Sequence, residues 1–139
     1  RQRLKDERAV LDELLDAPEP GEDLDVETGE ELRHVRPGYP PRLLKRLRRG
    51  DYVVRMHLDL HHLTHDEARD ALLLFLADAL DRDAGCVRVV HGKGLRSRNG
   101  PVLKNMVNRL LRKHRAVVAF TSCRPVDGGT GAVVVLLRR

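Results

Sequence analysis

The chain has 139 residues, 41% of them hydrophobic but 3% aromatic and none of them Trp, which predicts one domain with an aliphatic core plus an extension. No apolar run reaches the roughly 18 residues of a membrane span, since the longest, 71–80, is interrupted by Asp78, and no secretory leader is visible. The net charge of +5 hides an asymmetry: residues 1–31 carry 4 basic and 12 acidic groups, hence −8, and the remainder carries 22 and 9, hence +13.

A domain this basic favours polyanionic partners, although such charge also serves solubility. No membrane partner and a cytoplasmic location are expected. Because the chain starts at Arg1 rather than Met, its true N-terminus is expected to be missing. Cys86 and Cys123 lie in strand-like stretches and, without an export signal, read as free thiols.

Residues 1–16 place Leu4, Leu11, Leu14 and Leu15 near one stripe, with Val10 beside it, which predicts a short amphipathic helix. Pro18, Pro20 and Gly21 end it, and the acidic stretch to Glu31 reads as a linker or mobile arm. Residues 32–51 form a basic linker. In it RPGYPP (36–41) breaks the chain, and RLLKRLRRG (42–50) predicts a short helix that either packs on the domain or reaches a phosphate backbone.

The regular pattern, and with it the domain, runs over 52–139. YVVRMHLDL (52–60) predicts a first strand. Thr64 with Glu67 has capping-box spacing, and Ala68, Ala71, Leu72, Phe75, Leu76 and Leu80 give helix 65–81 an apolar stripe. CVRVV (86–90) is a second strand, and HGKGLRSRNG a loop. Pro101 suits the first turn of a helix whose stripe is Val102, Leu103, Met106, Val107, Leu110 and Leu111. VVAFT (117–121), the loop RPVDGGTG and AVVVLL (132–137) complete a βαβαββ order in which the first strands pair in parallel.

The unusual residues gather at strand ends. Asp59 and His61, two positions apart, close the first strand and would share a face; a carboxylate beside an imidazole suits proton handling. HGKG follows the second strand, where Gly92 and Gly94 let backbone N–H groups approach an anion while Lys93 and Arg96 add charge. If the third strand runs parallel to these two, DGGTG (127–131) opens on the same edge, where open α/β sheets place ligand sites. Alone, DGGTG is better read as a hairpin turn. His57, His61, His62 and His65 lack the spacing of a zinc site, so no metal ligands are assigned. HGKGLRS is neither a complete dinucleotide fingerprint nor a P-loop, which disfavours a nucleotide-dependent small-molecule enzyme.

Taken together, LDLHHLTHDEA, VVHGKGLRS…GPVLKNMVNRLL and VDGGTGAVVVLL resemble, in this order, the Smr (small MutS-related) domain, over about residues 50–139. The basic segment and acidic helix ahead of it resemble stand-alone bacterial members. The resemblance implies a two-layer α/β sandwich with a mixed four-stranded βαβαββ sheet, similar to the C-terminal domain of translation initiation factor 3. It implies an endonuclease that nicks DNA or cleaves RNA, with the ribosome as a further partner where messenger RNA is cut on stalled ribosomes.

On this resemblance the family's D-x-H pair falls on Asp59 and His61. Its glycine-rich loop falls on His91, Gly92, Lys93 and Gly94, followed by Arg96 and Ser97, and its last motif on Gly128, Gly129, Thr130, Gly131 and Ala132. One departure is His62, where the usual form has Gly. The expected chemistry has His61 as base or acid, oriented by Asp59 with its pKa raised, and His91 as the complementary group. The two glycine-bearing loops would hold phosphate. No cofactor is implied for RNA, whose 2′-OH serves as nucleophile; Mg²⁺ would activate water on DNA. The rival reading is a non-catalytic module that binds nucleic acid or a ribosome.

Overall fold

The computed structural model describes residues 11–16, 25–94 and 101–138. Its elements are β1 (Arg33–Val35), α1 (Arg42–Arg48), β2 (Met56–Asp59), α2 (His65–Asp81), β3 (Cys86–Val90), α3 (Val102–Lys113), β4 (Val117–Ser122) and β5 (Ala132–Leu137). The sheet order is β1-β4-β5-β3-β2, with β2 and β3 parallel and every other pair antiparallel. Because β5 opposes both β3 and β4, β4 points the same way as β2 and β3. The condition for three loops on one edge is therefore met.

The expected four-stranded sheet is corrected to five. Arg33, His34 and Val35 pair with Thr121, Phe120 and Ala119, and Leu32 donates its N–H to Ser122 Oγ at 2.7 Å. β4 is buried along its whole length, so an uncovered edge would leave buried N–H and C=O groups unpaired; β1 supplies the partners. The first predicted strand shortens to Met56–Asp59. Arg55 still donates its N–H to the Cys86 carbonyl at 2.9 Å, while Tyr52 and Val54 turn away to pack with α1.

One sheet face carries α2 and α3. Thr64 caps α2 in a reciprocal box with Glu67, and Ala68, Leu72, Leu73, Leu76 and Ala79 bury against Val87, Val89, Phe120, Val133 and Val135. On α3 the predicted stripe holds at Met106, Val107, Leu110 and Leu111 but not at Val102, which is 40% exposed. Lys104 and Asn108 are buried instead. The reason is the chain ahead of β1, which lies against α3 and needs polar partners. Lys104 Nζ donates to the Glu30 carbonyl, Asn105 Oδ1 accepts from Val26 N–H at 2.8 Å, and Arg112 reaches the Arg33 carbonyl at 3.1 Å.

The other face is covered in part. α1 docks Leu43, Leu44 and Leu47 on Val118, Cys123 and Val134, over the β1-β4-β5 half. Of the two readings of this basic helix, packing on the domain is therefore satisfied, while Arg42, Lys45, Arg46 and Arg49 stay exposed. Over the β2-β3 half, His57 and Asp59 are exposed. Cys86 and Cys123 are free and buried, and burial pushes the Cys86 thiol up to about 11.

Candidate active site

The loops leaving β2, β3 and β4 meet at the sheet edge. His91 and Gly92 both donate backbone N–H groups to the Gly131 carbonyl at 3.0 Å, tying the second loop to the third. A Cβ on Gly92 would lie 3.3 Å from His61 Cβ, and one on Gly131 would lie 3.1 Å from Lys93 Cγ. Side chains on either glycine would thus press on the neighbouring loop. Gly94 is held more strictly. Its φ is +75°, and a Cβ would stand 2.7 Å from Pro101 Cα, the backbone that starts α3.

Asp59 and His61 meet as their spacing requires, although by a turn rather than along a continuous strand. β2 stops at Asp59, buried Leu60 donates its N–H to the Val90 carbonyl at 2.7 Å, and the chain then folds over itself. Asp59 Oδ1 accepts both the His61 backbone N–H at 3.0 Å and the His61 Nδ1–H at 2.5 Å. Both side chains remain in solvent, at 56% and 41% exposure. The hydrogen bond from His61 holds the Asp59 carboxyl below its ordinary pKa, so the acid is an anion at neutral pH. With Nδ1 committed to that anion, Nε2 is the ring nitrogen left without a partner in the pair.

His91 is different. It is 3% exposed, its Nδ1 donates to the Gly92 carbonyl at 2.6 Å, and its Nε2 has no partner among the described residues. Burial pulls its pKa down to about 4, the Lys104 ammonium adds to the shift, and the bond to Gly92 opposes it. It is therefore neutral at pH 7 and shielded from any ligand at the edge. Its visible work is to fold the HGKG backbone.

Gly92, with φ +83°, borders the Asp59–His61 pair, and the exposed Lys93 follows it in the loop with its stem against Gly131. Gly128 and Gly129, at φ +116° and +58°, shape two 3₁₀ turns, Pro125–Asp127 and Gly129–Gly131, that join antiparallel β4 and β5. DGGTG is thus both a strand connection and, through Gly131, a wall of the site. Thr130 is half-buried in it. Arg96 and Ser97 lie outside the described residues.

Two residues that sequence reasoning passed over shape the site. Arg88 sits in mid-β3 and donates Nε–H to the Asp127 carbonyl at 2.8 Å, bracing the third loop. A charge interrupting CVRVV was the available signal. Lys104, 1% exposed, places a cation behind His91; nothing in a helical run with Lys and Asn marks it as buried.

Comparison with known proteins agrees with this geometry. The sequence profile of the Smr domain matches residues 58–138. The chain belongs to the Smr domain family. The Smr domain here is similar to the ribosome rescue factor SmrB of Serratia proteamaculans, at 37% identity over 105 residues, covering 76% of this chain and 57% of that one. The corresponding SmrB of Yersinia enterocolitica is 38% identical over 112 residues, covering 81% and 61%. The chain thus spans about six tenths of the length of these relatives.

Among solved structures, YdaL, a stand-alone small MutS-related protein from Escherichia coli, superposes with TM-score 0.72 at 29% identity, over 82% of this chain and 88% of that one. The Smr domain of Thermus thermophilus MutS2 does so with TM-score 0.56 at 30% identity, over 61% and 100%. In this Smr domain the departure at His62 is accommodated without backbone strain. Asp83 alone has a positive φ among the described non-glycine residues, and the His62 ring lies exposed with its centroid 3.5 Å from that of His61.

Proposed function

We propose that this Smr domain is an endonuclease that cleaves RNA, with the ribosome as the setting in which it meets its substrate and the cytoplasm as its location. The observation that carries the proposal is the exposed Asp59–His61 pair, held at 2.5 Å where three loops converge. His61 Nε2 takes the proton from a ribose 2′-OH. The resulting oxyanion attacks the adjacent phosphorus, the bond to the 5′ oxygen breaks, and that oxygen is protonated from solvent at the open edge. The exposed Lys93 ammonium offsets charge on the phosphoryl oxygens, while the Gly92 N–H stays engaged with the Gly131 carbonyl. His91, expected as the complementary acid, takes a positioning role instead, because burial keeps it neutral and out of reach.

Two findings support the setting. The curated relatives are ribosome rescue factors, and the open half of the sheet presents the polar side chains of Arg55, His57 and Asp59, with exposed Lys93 in the loop beyond. Asp59 Oδ1 is already occupied by His61, a donor arrangement that suits acid–base work.

The test is cleavage of labelled single-stranded RNA and of supercoiled DNA, each with Mg²⁺ or EDTA and with or without ribosomes. RNA cleavage that persists in EDTA and falls at least about a hundredfold in His61→Ala and in Asp59→Asn is the expected result. Nicking of DNA that requires Mg²⁺ would move the reading to hydrolysis by activated water. Binding without cleavage under all conditions would leave a docking module.

A further inference from the structure

The catalytic pair closes one end of β2. At the other end, on the same side of the sheet, is a groove of about 640 Å³ beside the start of α1. It brings together Tyr39 and Tyr52, the two tyrosines of a chain poor in aromatics. Tyr39 is 41% exposed and the neighbouring Val53 66%, so apolar surface is left open here. Arg55 and Arg138 line the same groove, and neither side chain has a partner among the described residues. Asp51, also in the wall, is already neutralised by Arg49 at 2.7 Å and Arg46 at 3.4 Å. The uncompensated charge of the groove is positive.

Groove and site are joined along β2. Arg55, His57 and Asp59 are exposed while Met56 and Leu58 turn toward the core, so one line of polar side chains leads from Arg55 to the catalytic pair. Four residues of extended chain span about 13 Å at the usual strand rise. That is on the order of four nucleotides at a stacked spacing of about 3.4 Å. α1 packs over β1, β4 and β5, which leaves this path uncovered.

We infer that the groove is an entry site for single-stranded RNA, holding the strand a few nucleotides away from the bond that Asp59 and His61 cleave. A base stacks on Tyr39, which is exposed, whereas Tyr52 already carries the Arg46 guanidinium 5.6 Å from its ring centroid. Arg55 and Arg138 neutralise phosphates, and the backbone follows His57 to the site. Stacking on a tyrosine is tolerant of sequence, so the groove selects an unpaired strand rather than a motif. The inference rests on the RNA reading of the site and adds where the strand enters.

The test measures binding of fluorescent RNA of about four and about twelve nucleotides to the full chain, lengths chosen from the stacked spacing above. The background is His61→Ala, so that nothing is cleaved. The twelve-nucleotide strand should bind more tightly than the short one. Tyr39→Ala should weaken it about tenfold. Tyr39→Phe should not, and Arg55→Glu should weaken it and flatten its salt dependence. The short strand should be affected by none of these.

Equal affinities for the two lengths, or a twelve-nucleotide strand indifferent to both Tyr39→Ala and Arg55→Glu, would overturn the entry site and leave the groove to a protein partner. Both positions are exposed, and unchanged melting temperatures confirm that the fold is intact. The two proposals fail separately. Groove-dependent binding by a chain that cleaves no RNA in the wild-type form removes the activity alone. His61-dependent cleavage with groove-independent binding removes the entry site alone.

Discussion

The two faces of the sheet use their basic side chains differently. On the α2–α3 side arginines are neutralised from the N-terminal segment: Asp12 meets Arg69 at 2.9 Å, Asp16 meets Arg115 at 3.2 Å, and Asp25 meets Arg109. On the β2-β3 half of the opposite face, Arg55 and Lys93 have no such partners among the described residues. The acidic stretch therefore does more than lower the net charge. It cancels positive potential where the fold is closed and leaves it where the candidate site is open. A polyanion is steered by that difference rather than by total charge.

The sharpest way to separate the faces is to cut into each. Phe120 is fully buried beneath α3, with Arg112 5.9 Å above its ring. Phe120→Ala should cost about 3–5 kcal/mol in urea unfolding. His57→Ala, on the open face, should stay within about 0.5 kcal/mol while reducing RNA binding. A comparable stability loss at both positions would mean that the open half is packed after all.

A second contrast comes from pH. His34, His91 and His114 are each pulled from 6.5 to about 4, chiefly by burial, with Arg112 and Arg36 adding at His34 and Arg36 and Arg138 at His114. An unfolded imidazole takes a proton near 6.5, so between about pH 6.5 and 4 the unfolded chain holds more protons than the folded one. Stability is thus level above that window and falls as pH drops through it, by up to about 1.4 kcal/mol per unit for each buried ring. Denaturant titrations across the range should show the fall, and His91→Asn should make it shallower. A curve unchanged in that variant would show His91 to be open to solvent.

How far the sequence revealed all this follows from which signals are local. Helix 65–81 declares its own cap and stripe, and its bounds match; strands 86–90 and 132–137 match as well. Asp59 and His61 were visible because two positions keep them close whether the chain runs on as a strand or, as it does, turns after Asp59. β1 was not, since three residues carry no periodicity and their pairing with β4 is decided far along the chain, at Ala119 to Thr121. The burial of Lys104 and His91 was equally hidden. Both are polar by type, and Lys104 is buried where residues 25–34 cross α3, a tertiary event without a pattern of its own. His91 stood in the right motif, but the motif alone could not tell a group that touches substrate from one that folds the loop behind it.

The smallest predicted effect bears most directly on the acidic segment. Asp12, Asp16 and Asp25 are each about half exposed, so their ion pairs are individually worth about 0–1 kcal/mol and are weakened by salt. Replacing all three by Asn should lower stability only slightly and should release Arg69, Arg109 and Arg115 from their carboxylates. If RNA uses only the open face, those arginines lie on the wrong side of the sheet. Affinity at low salt should then rise a few-fold through long-range attraction, with the salt slope nearly unchanged. If instead the slope steepens by two or three phosphates' worth, the α2–α3 flank is a second RNA surface that the acidic segment occludes. The two faces would then differ in when they are available, not in whether they bind.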